Sequence, residues 1–313
     1  MSGVAEPLVL AAMGEGAWRE WEAPLRAALA EIAPGARLAR EAPPAEVDAI
    51  VLGGAGARPD FALYTRCRAV LCTWAGVENV VGDPGLTQPL ARMVDPGLTE
   101  GMVEWVLGHV LRHHLGLDRH IANPEQEWAP HVPPLARERR VGVLGLGALG
   151  SAAANALAQV GFDVAGWSRT PKALPGIACH HGEAGLDLVL RRSEILVLLL
   201  PLTSATEGLM DARRLDLLPE GAVILNPGRG GLIDDGALLA ALDGPLGHAT
   251  LDTFRTEPLP ADHPFWAHPK VTVTPHVASA TRPVTAAQVI AENVRRLIAG
   301  EPLLHLVDRA RGY

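Results

Sequence analysis

Three glycines and three ionisable side chains carry most of the chemistry legible in this chain. Gly145, Gly147 and Gly150 stand in the run Val141-Gly-Val-Leu-Gly-Leu-Gly-Ala-Leu-Gly-Ser151, a G-x-G-x-x-G spacing. In a strand–turn–helix setting each glycine has its own task. The first makes the tight turn, the second lets backbone approach a pyrophosphate, and the third lets helix pack closely on strand. The N–H groups that open a helix then face the phosphates. Gly145, Leu146, Gly147, Ala148, Leu149 and Gly150 are therefore the candidate phosphate cradle. The spacing alone is weak in a glycine-rich chain, where a phosphate-free turn reads the same way. Its place between the apolar run ending at Leu144 and the alanine-rich Ala152–Val160 favours a dinucleotide site.

An acidic residue about 20 positions beyond such a turn bonds the ribose hydroxyls of NAD. Here the second strand ends Ala165-Gly-Trp-Ser-Arg-Thr-Pro-Lys172, with Ser168 at the acidic position. Ser168, Arg169, Thr170 and Lys172 suit a ribose 2′-phosphate, which a carboxylate would repel. The expected cofactor is NADPH rather than NADH. The alternative is a solvated basic turn.

Three later segments hold the ionisable side chains: Leu225-Asn-Pro-Gly-Arg-Gly-Gly231, Leu251-Asp-Thr-Phe-Arg-Thr-Glu-Pro-Leu259 and Val273-Thr-Pro-His-Val-Ala-Ser279. Each follows a predicted strand, so each falls at the carboxyl edge of a sheet, where open α/β sheets bind ligands. That placement brings Arg229, Glu257 and His276 together around a nicotinamide. Each also has a plainer reading: a surface arginine, a turn cap before Pro258, a satisfied core histidine. His113 with His114 and His180 with His181 lack a third ligand at metal spacing and read as structural or solvated, so no metal site is expected.

The elements that must position these residues alternate. Leu8–Ala12, Val47–Leu52 and Ala69–Cys72 read as buried strands, with a helix marked by Trp18, Trp21, Leu25, Leu29 and Ile32. Gly82–Pro96 reads as a connection and Thr99–Leu117 as an apolar helix crossing between domains. Asn123–Pro134 is a proline-rich irregular arm. Beyond the glycine turn, strands are expected at Val164–Trp167, Ile195–Leu200, Ala222–Leu225, His248–Leu251 and Val271–Val273, with a final helix over Thr285–Ala299. This α/β alternation predicts a parallel, doubly wound sheet.

Composition sets the bounds. The chain has 313 residues, 48 % hydrophobic and 20 % charged, which fits two globular domains. A net charge of −8 disfavours nucleic acid and anionic membranes as partners. Three cysteines without a C-x-x-C pair argue against a disulfide framework and fit a reducing cytoplasm. No signal peptide is expected, and Ile195–Leu200 is far short of the ~20 residues of a spanning helix.

The ordered set of segments resembles the D-isomer-specific 2-hydroxyacid dehydrogenases, above all their glyoxylate/hydroxypyruvate reductase branch. The likeness runs from about Cys72 onward. It rests on Trp74-Ala-Gly-Val-Glu-Asn79, the glycine turn, Trp167-Ser-Arg-Thr170, Leu200-Pro-Leu202, the Arg229 and Glu257 segments and Thr274-Pro-His276. It implies a Rossmann-type domain, residues 100–276, inserted into a smaller flavodoxin-like α/β domain of residues 1–99 plus 277–313, with a cleft that closes on binding. It implies hydride transfer from nicotinamide C4 to the carbonyl carbon of a small 2-oxoacid. His276 as imidazolium would give the proton, and Glu257 would hold the ring and favour its charged form. Arg229 would grip carboxylate and carbonyl. The segment Trp74, Ala75, Gly76 and Val77 would hold the substrate carboxylate, through N–H groups at Gly76 and Val77. Leu200, Pro201 and Asn226 would line the cofactor, and Asp252 would orient its carboxamide, with a structural turn residue as the plainer reading of Asp252.

The resemblance also favours Trp128, over Trp74 and Trp105, as a pocket wall that limits the substrate to glyoxylate or hydroxypyruvate. It implies a homodimer with residues 103–134 at the interface, and a core or interface tryptophan is the alternative reading of Trp128. The chain departs from most relatives at Pro227-Gly228, where Gly228 keeps room for the cofactor and Pro227 removes a backbone donor. Two other readings of the whole are a nucleotide-sensing binding protein of the same fold and a reductase of a larger 2-oxoacid. No C-terminal regulatory domain is expected, which speaks against a phosphoglycerate dehydrogenase.

Overall fold

The runs of Val, Ile, Leu and Ala become strands, and the strands pair in parallel throughout both sheets. The computed structural model describes residues 6–54, 58–123 and 125–313. In chain order the elements are β1 (Leu8–Met13), α1 (Glu15–Ile32), β2 (Arg37–Ala39), β3 (Ala49–Gly53), β4 (Ala69–Cys72), β5 (Leu90–Ala91), α2 (Pro96–Leu115) and α3 (Leu117–Ile121). They continue with β6 (Arg140–Leu144), α4 (Ala148–Val160), β7 (Asp163–Trp167), β8 (Ala178–His180), α5 (Gly182–Arg192), β9 (Ile195–Leu198) and α6 (Ala212–Leu215). The last are β10 (Val223–Asn226), α7 (Asp235–Asp243), β11 (His248–Leu251), β12 (Val271–Val273) and α8 (Pro283–Ala299). Among the described residues no helix is long and apolar enough to cross a membrane.

Two compact units result, one of the residues up to Leu98 with Thr281–Tyr313, the other Thr99–Ala280. The boundary after Leu98 falls inside α2. The return comes at Thr281 rather than at the expected 277. Val277 and Ala278 stay with the second unit because their N–H groups donate to the Asp252 carboxylate and Ala278 is buried in that unit's core.

The first unit holds a five-stranded sheet in the order β2-β1-β3-β4-β5, the flavodoxin-like winding. Helices α1 and α8 pack together on it through apolar stripes, Trp18, Trp21, Leu25 and Leu29 on one and Ile290 and Val294 on the other. The second unit holds a seven-stranded sheet in the order β12-β11-β10-β9-β6-β7-β8. Successive β9 residues serve opposite faces: Ile195 and Val197 join one core cluster, Leu196 and Leu198 the other. A strand buried on both faces has to be apolar at every position, which is why these strands read as continuous hydrophobic runs.

β2, β5 and β8 are short strands that periodicity did not reveal. β5 lies inside the stretch expected to be a connection, where only two residues pair with β4. The helix expected to reach Leu117 stops at Leu115, because Gly116 turns left-handed at φ +65° and starts the short α3. Leu199 and Leu200 leave the β9 strand, since the chain turns there toward the glycine loop.

Candidate active site

The winding of the second sheet reverses between β6 and β9, and open α/β sheets bind ligands outside the carboxyl ends at such a point. The glycine loop stands there. Gly145 adopts φ +103°, donates its N–H to the Trp167 carbonyl at 2.8 Å, and has no room for a methyl group, which would stand 2.5 Å from the Leu199 carbonyl oxygen. A methyl at Gly150 would stand 1.7 Å from the Gly145 oxygen, so this glycine lets α4 press onto the turn itself rather than onto the strand. A methyl at Gly147 would meet nothing within 4 Å, so this side of the loop is open. The first-turn N–H groups of α4, at Ala148, Leu149 and Gly150, have no acceptor within the helix. An open glycine face in front of unpaired helix N–H groups fits a pyrophosphate. Leu146 contributes only backbone there, because its side chain is buried against Gly166.

The turn after β7 carries no carboxylate from Ser168 to Lys172. Ser168 is buried, and its hydroxyl donates to the Thr170 carbonyl at 2.8 Å. That bond shapes the turn and leaves Arg169, Thr170 and Lys172 exposed. Next to the glycine loop, Leu200 is buried and the Pro201 carbonyl accepts from the Thr206 hydroxyl at 2.6 Å.

Arg229 is partly buried in the loop after β10, with Nη1 donating to the Gly228 carbonyl at 2.7 Å. Asn226, expected in the cofactor lining, staples this loop. Its Nδ2 donates to the Arg229 carbonyl at 2.9 Å and its Oδ1 accepts from the Gly228 N–H at 3.2 Å. Gly228, expected to make room for a cofactor, is needed by the protein itself: a methyl there would stand 2.8 Å from the Leu198 carbonyl oxygen. At Gly230 a methyl would stand 2.0 Å from the Phe254 backbone. The Arg229 loop therefore lies directly on the segment after β11.

That segment carries Glu257. Oε1 accepts the Phe254 N–H at 2.8 Å and Oε2 lies 2.7 Å from Nδ1 of His276. His276 itself takes φ +53°, held by its N–H donating to the Asp252 carbonyl at 2.9 Å. With Nδ1 engaged by the carboxylate, Nε2 is the ring nitrogen left to face solvent on a side chain 49 % exposed. Contacts thus run unbroken from the Arg229 loop through Phe254 and Glu257 to His276, all at the carboxyl edge of one sheet.

Asp252 is enclosed by its own loop. It is 0 % exposed, and its carboxylate accepts from the Thr274 hydroxyl at 2.6 Å and from the N–H groups of Val277 and Ala278, each at 2.9 Å. Its contacts shape the loop that presents His276. Thr274, the first residue of the Thr-Pro-His run, was not singled out in the sequence, although a hydroxyl beside a strand end is a common carboxylate partner.

Lower on the same sheet, His113 of α2 pairs with the Thr250 hydroxyl and His248 with the Thr272 hydroxyl, each at 2.9 Å. Burial pulls His113 down to about 3 and His248 down to about 4. They form a neutral structural seam. Among the described residues no three His, Cys, Asp or Glu side chains gather at metal-binding geometry.

In the first unit Trp74–Val77 follow β4 at its carboxyl end. The Trp74 carbonyl accepts the Met93 N–H at 2.9 Å, and Val77 is 2 % exposed. Trp128 lies on the irregular arm, 98 % exposed.

Residues 106–278 match the family model of the D-isomer specific 2-hydroxyacid dehydrogenase NAD binding domain. The chain belongs to the D-isomer-specific 2-hydroxyacid dehydrogenase family. It is an NAD(P)-dependent dehydrogenase of that family. Glyoxylate/hydroxypyruvate reductase A of Salmonella newport is 39 % identical over 258 residues, 79 % of this chain and 82 % of that protein. A family member from Xanthobacter autotrophicus, solved with NADPH and MES, is 44 % identical with a TM-score of 0.91, over 99 % of this chain and 100 % of that one. The NADPH-dependent glyoxylate/hydroxypyruvate reductase of Sinorhizobium meliloti, solved with NADP and sulfate, is 34 % identical with a TM-score of 0.86, over 98 % and 100 % of the two chains. The matched domain contains the glycine loop, Arg229, Glu257 and His276.

Proposed function

We propose that this dehydrogenase reduces glyoxylate or hydroxypyruvate to the corresponding 2-hydroxyacid with NADPH. The observation that carries the reading is the Glu257–His276 pair, joined through Phe254 to the Arg229 loop at one sheet edge. Similarity to the Salmonella and Sinorhizobium reductases supports the substrate, and the Xanthobacter and Sinorhizobium complexes support the cofactor. Bound NADPH supplies a hydride to the carbonyl carbon. His276 supplies the proton from Nε2 to the carbonyl oxygen as negative charge develops there. Glu257 holds the ring through Nδ1, so that the free nitrogen keeps one direction. Arg229 binds the substrate carboxylate as a planar, charge-assisted donor. In the first unit, the Gly76 and Val77 N–H groups are assigned to substrate binding. Glyoxylate or hydroxypyruvate plus NADPH and one proton gives the hydroxyacid and NADP.

The 2′-phosphate of the cofactor is assigned to Arg169, Thr170 and Lys172, which are exposed beside a turn without a carboxylate. A homodimer is also part of this reading. Trp128 at 98 % exposure, with Ile121 at 79 % and Val132 at 88 %, makes an apolar arm that a second copy of the chain would cover. Sedimentation of the wild type against Trp128→Ala tests the dimer.

The deciding experiment is a panel of 2-oxoacids assayed with NADPH and with NADH. Turnover of glyoxylate or hydroxypyruvate with NADPH is the expected result. Nucleotide binding without turnover of any 2-oxoacid would favour the sensing protein instead. A preference for bulky 2-oxoacids would move the substrate assignment.

A further inference from the structure

Most arginines of the first unit spend their guanidinium on a neighbour. Arg66 pairs with Asp48, Arg68 donates to the Leu297 carbonyl, Arg58 to the Asn79 carbonyl, and Arg309 to the carbonyls of Leu86 and Gln88. Arg92 does not. It is partly buried immediately after β5, yet its guanidinium makes no hydrogen bond or ion pair among the described residues.

Its backbone is fixed from two sides. The Arg92 N–H donates to the His305 carbonyl at 3.1 Å, and the next residue, Met93, donates to the Trp74 carbonyl at 2.9 Å. The C-terminal segment closes against β5 here, with Ala91 bridging Leu306 and the Val307 N–H donating to the Leu90 carbonyl at 2.8 Å. Burial pulls the Arg92 guanidinium below its ordinary value. Burial and then the Arg92 charge do the same to His305, so its neighbour is a ring held toward neutrality, not a counter-ion.

A guanidinium has five donors and no acceptor. Withdrawing it from water with no anion or carbonyl in return costs free energy that the fold does not recover. An acceptor that arrives with a ligand would offset that cost. The adjoining loop is Trp74–Val77, the segment assigned above to the substrate.

We propose that Arg92 is a specificity-determining residue that donates to an oxygen on C3 of the 2-oxoacid. The hydroxyl of hydroxypyruvate would accept this bond, and a carboxylate in that place would accept it more strongly. Glyoxylate ends at its C2 aldehyde and has no such group. The proposal rests on the reading of Trp74–Val77 as the substrate segment.

The test is kcat/KM for hydroxypyruvate and for glyoxylate, both with NADPH, in the wild type, Arg92→Leu and Arg92→Lys. Arg92→Leu should lower the hydroxypyruvate-to-glyoxylate ratio by about 10-fold or more, the size expected for one lost charge-assisted bond, mainly through the KM for hydroxypyruvate. Arg92→Lys should restore part of the ratio. If Arg92→Leu does not fold, Arg92→Gln carries the same comparison. A ratio unchanged in a folded variant, with both substrates turned over, overturns the role of Arg92 and leaves the reductase reading standing. A wild type that turns over neither substrate overturns both.

Discussion

Oε2 of Glu257 lies 2.7 Å from Nδ1 of His276, while Oε1 of the same carboxylate accepts the Phe254 N–H at 2.8 Å. One carboxylate thus fixes the ring and is itself fixed by the segment that supports the Arg229 loop. His276→Asn should lower kcat by about 10²- to 10⁴-fold, the usual share of a positioned acid. NADPH binding, read by fluorescence titration, should survive. Glu257→Gln should lower kcat less and alter the pH profile. Near-normal turnover in His276→Asn would remove the acid assignment.

The Asp252 carboxylate accepts three donors around His276 with no solvent contact. Asp252→Ala strands the buried Ala278 N–H and the partly buried Val277 N–H, and a buried unsatisfied donor costs roughly 1–3 kcal/mol. Urea unfolding should show a stability loss on the order of 3 kcal/mol together with a fall in kcat. A variant of wild-type stability and lower affinity for NADPH would return Asp252 to direct cofactor contact.

The three loop glycines should fail in different ways. Gly145→Ala is strained at φ +103° and collides with the Leu199 carbonyl, and Gly150→Ala collides with the Gly145 oxygen, so both should lower the melting temperature. Gly147→Val projects into open space. It should leave the melting temperature of the ligand-free protein within about 2 °C, a shift of about 1 kcal/mol or less. It should nevertheless raise the Kd for NADPH about 10-fold or more, the effect of roughly 1.4 kcal/mol. Equal melting losses for all three would argue against a pyrophosphate at Gly147.

Arg169 stands in a turn whose serine hydroxyl is already bonded to a backbone carbonyl. Arg169→Ala should raise the KM for NADPH about 10-fold or more, one charge-assisted contact, and change the KM for NADH little. Parallel changes for the two cofactors would place the arginine away from the 2′-phosphate.

The seam of His113 and His248 predicts acid sensitivity. Folded, they titrate at about 3 and about 4, against ~6.5 for an unfolded histidine. Between those values the unfolded chain binds more protons, so stability is complete above the window and lost as pH falls through it. Partial exposure of His248 reduces its share. Chemical unfolding at pH 7 and pH 4.5 should show a smaller loss in His113→Gln than in the wild type. An equal loss would assign the acid sensitivity to other groups.

Spacing within a few residues already determined the chemistry. The glycine triplet, the missing acid at Ser168, and a strand end before each of Arg229, Glu257 and His276 are local patterns. Strand and helix periodicity is local too, so the doubly wound sheet and family membership were legible before any coordinates. The short strands β2, β5 and β8 were not, because two or three residues show no period and pair only when a neighbouring strand offers its edge. The hydrogen-bond partners of Asp252 and Asn226 were likewise not legible. A buried carboxylate takes whichever donors surround it, and those around Asp252 come from residues 22 to 26 positions away in the chain. Tertiary structure alone decided which glycines make room for the chain and which face open space, because that depends on what folds against them.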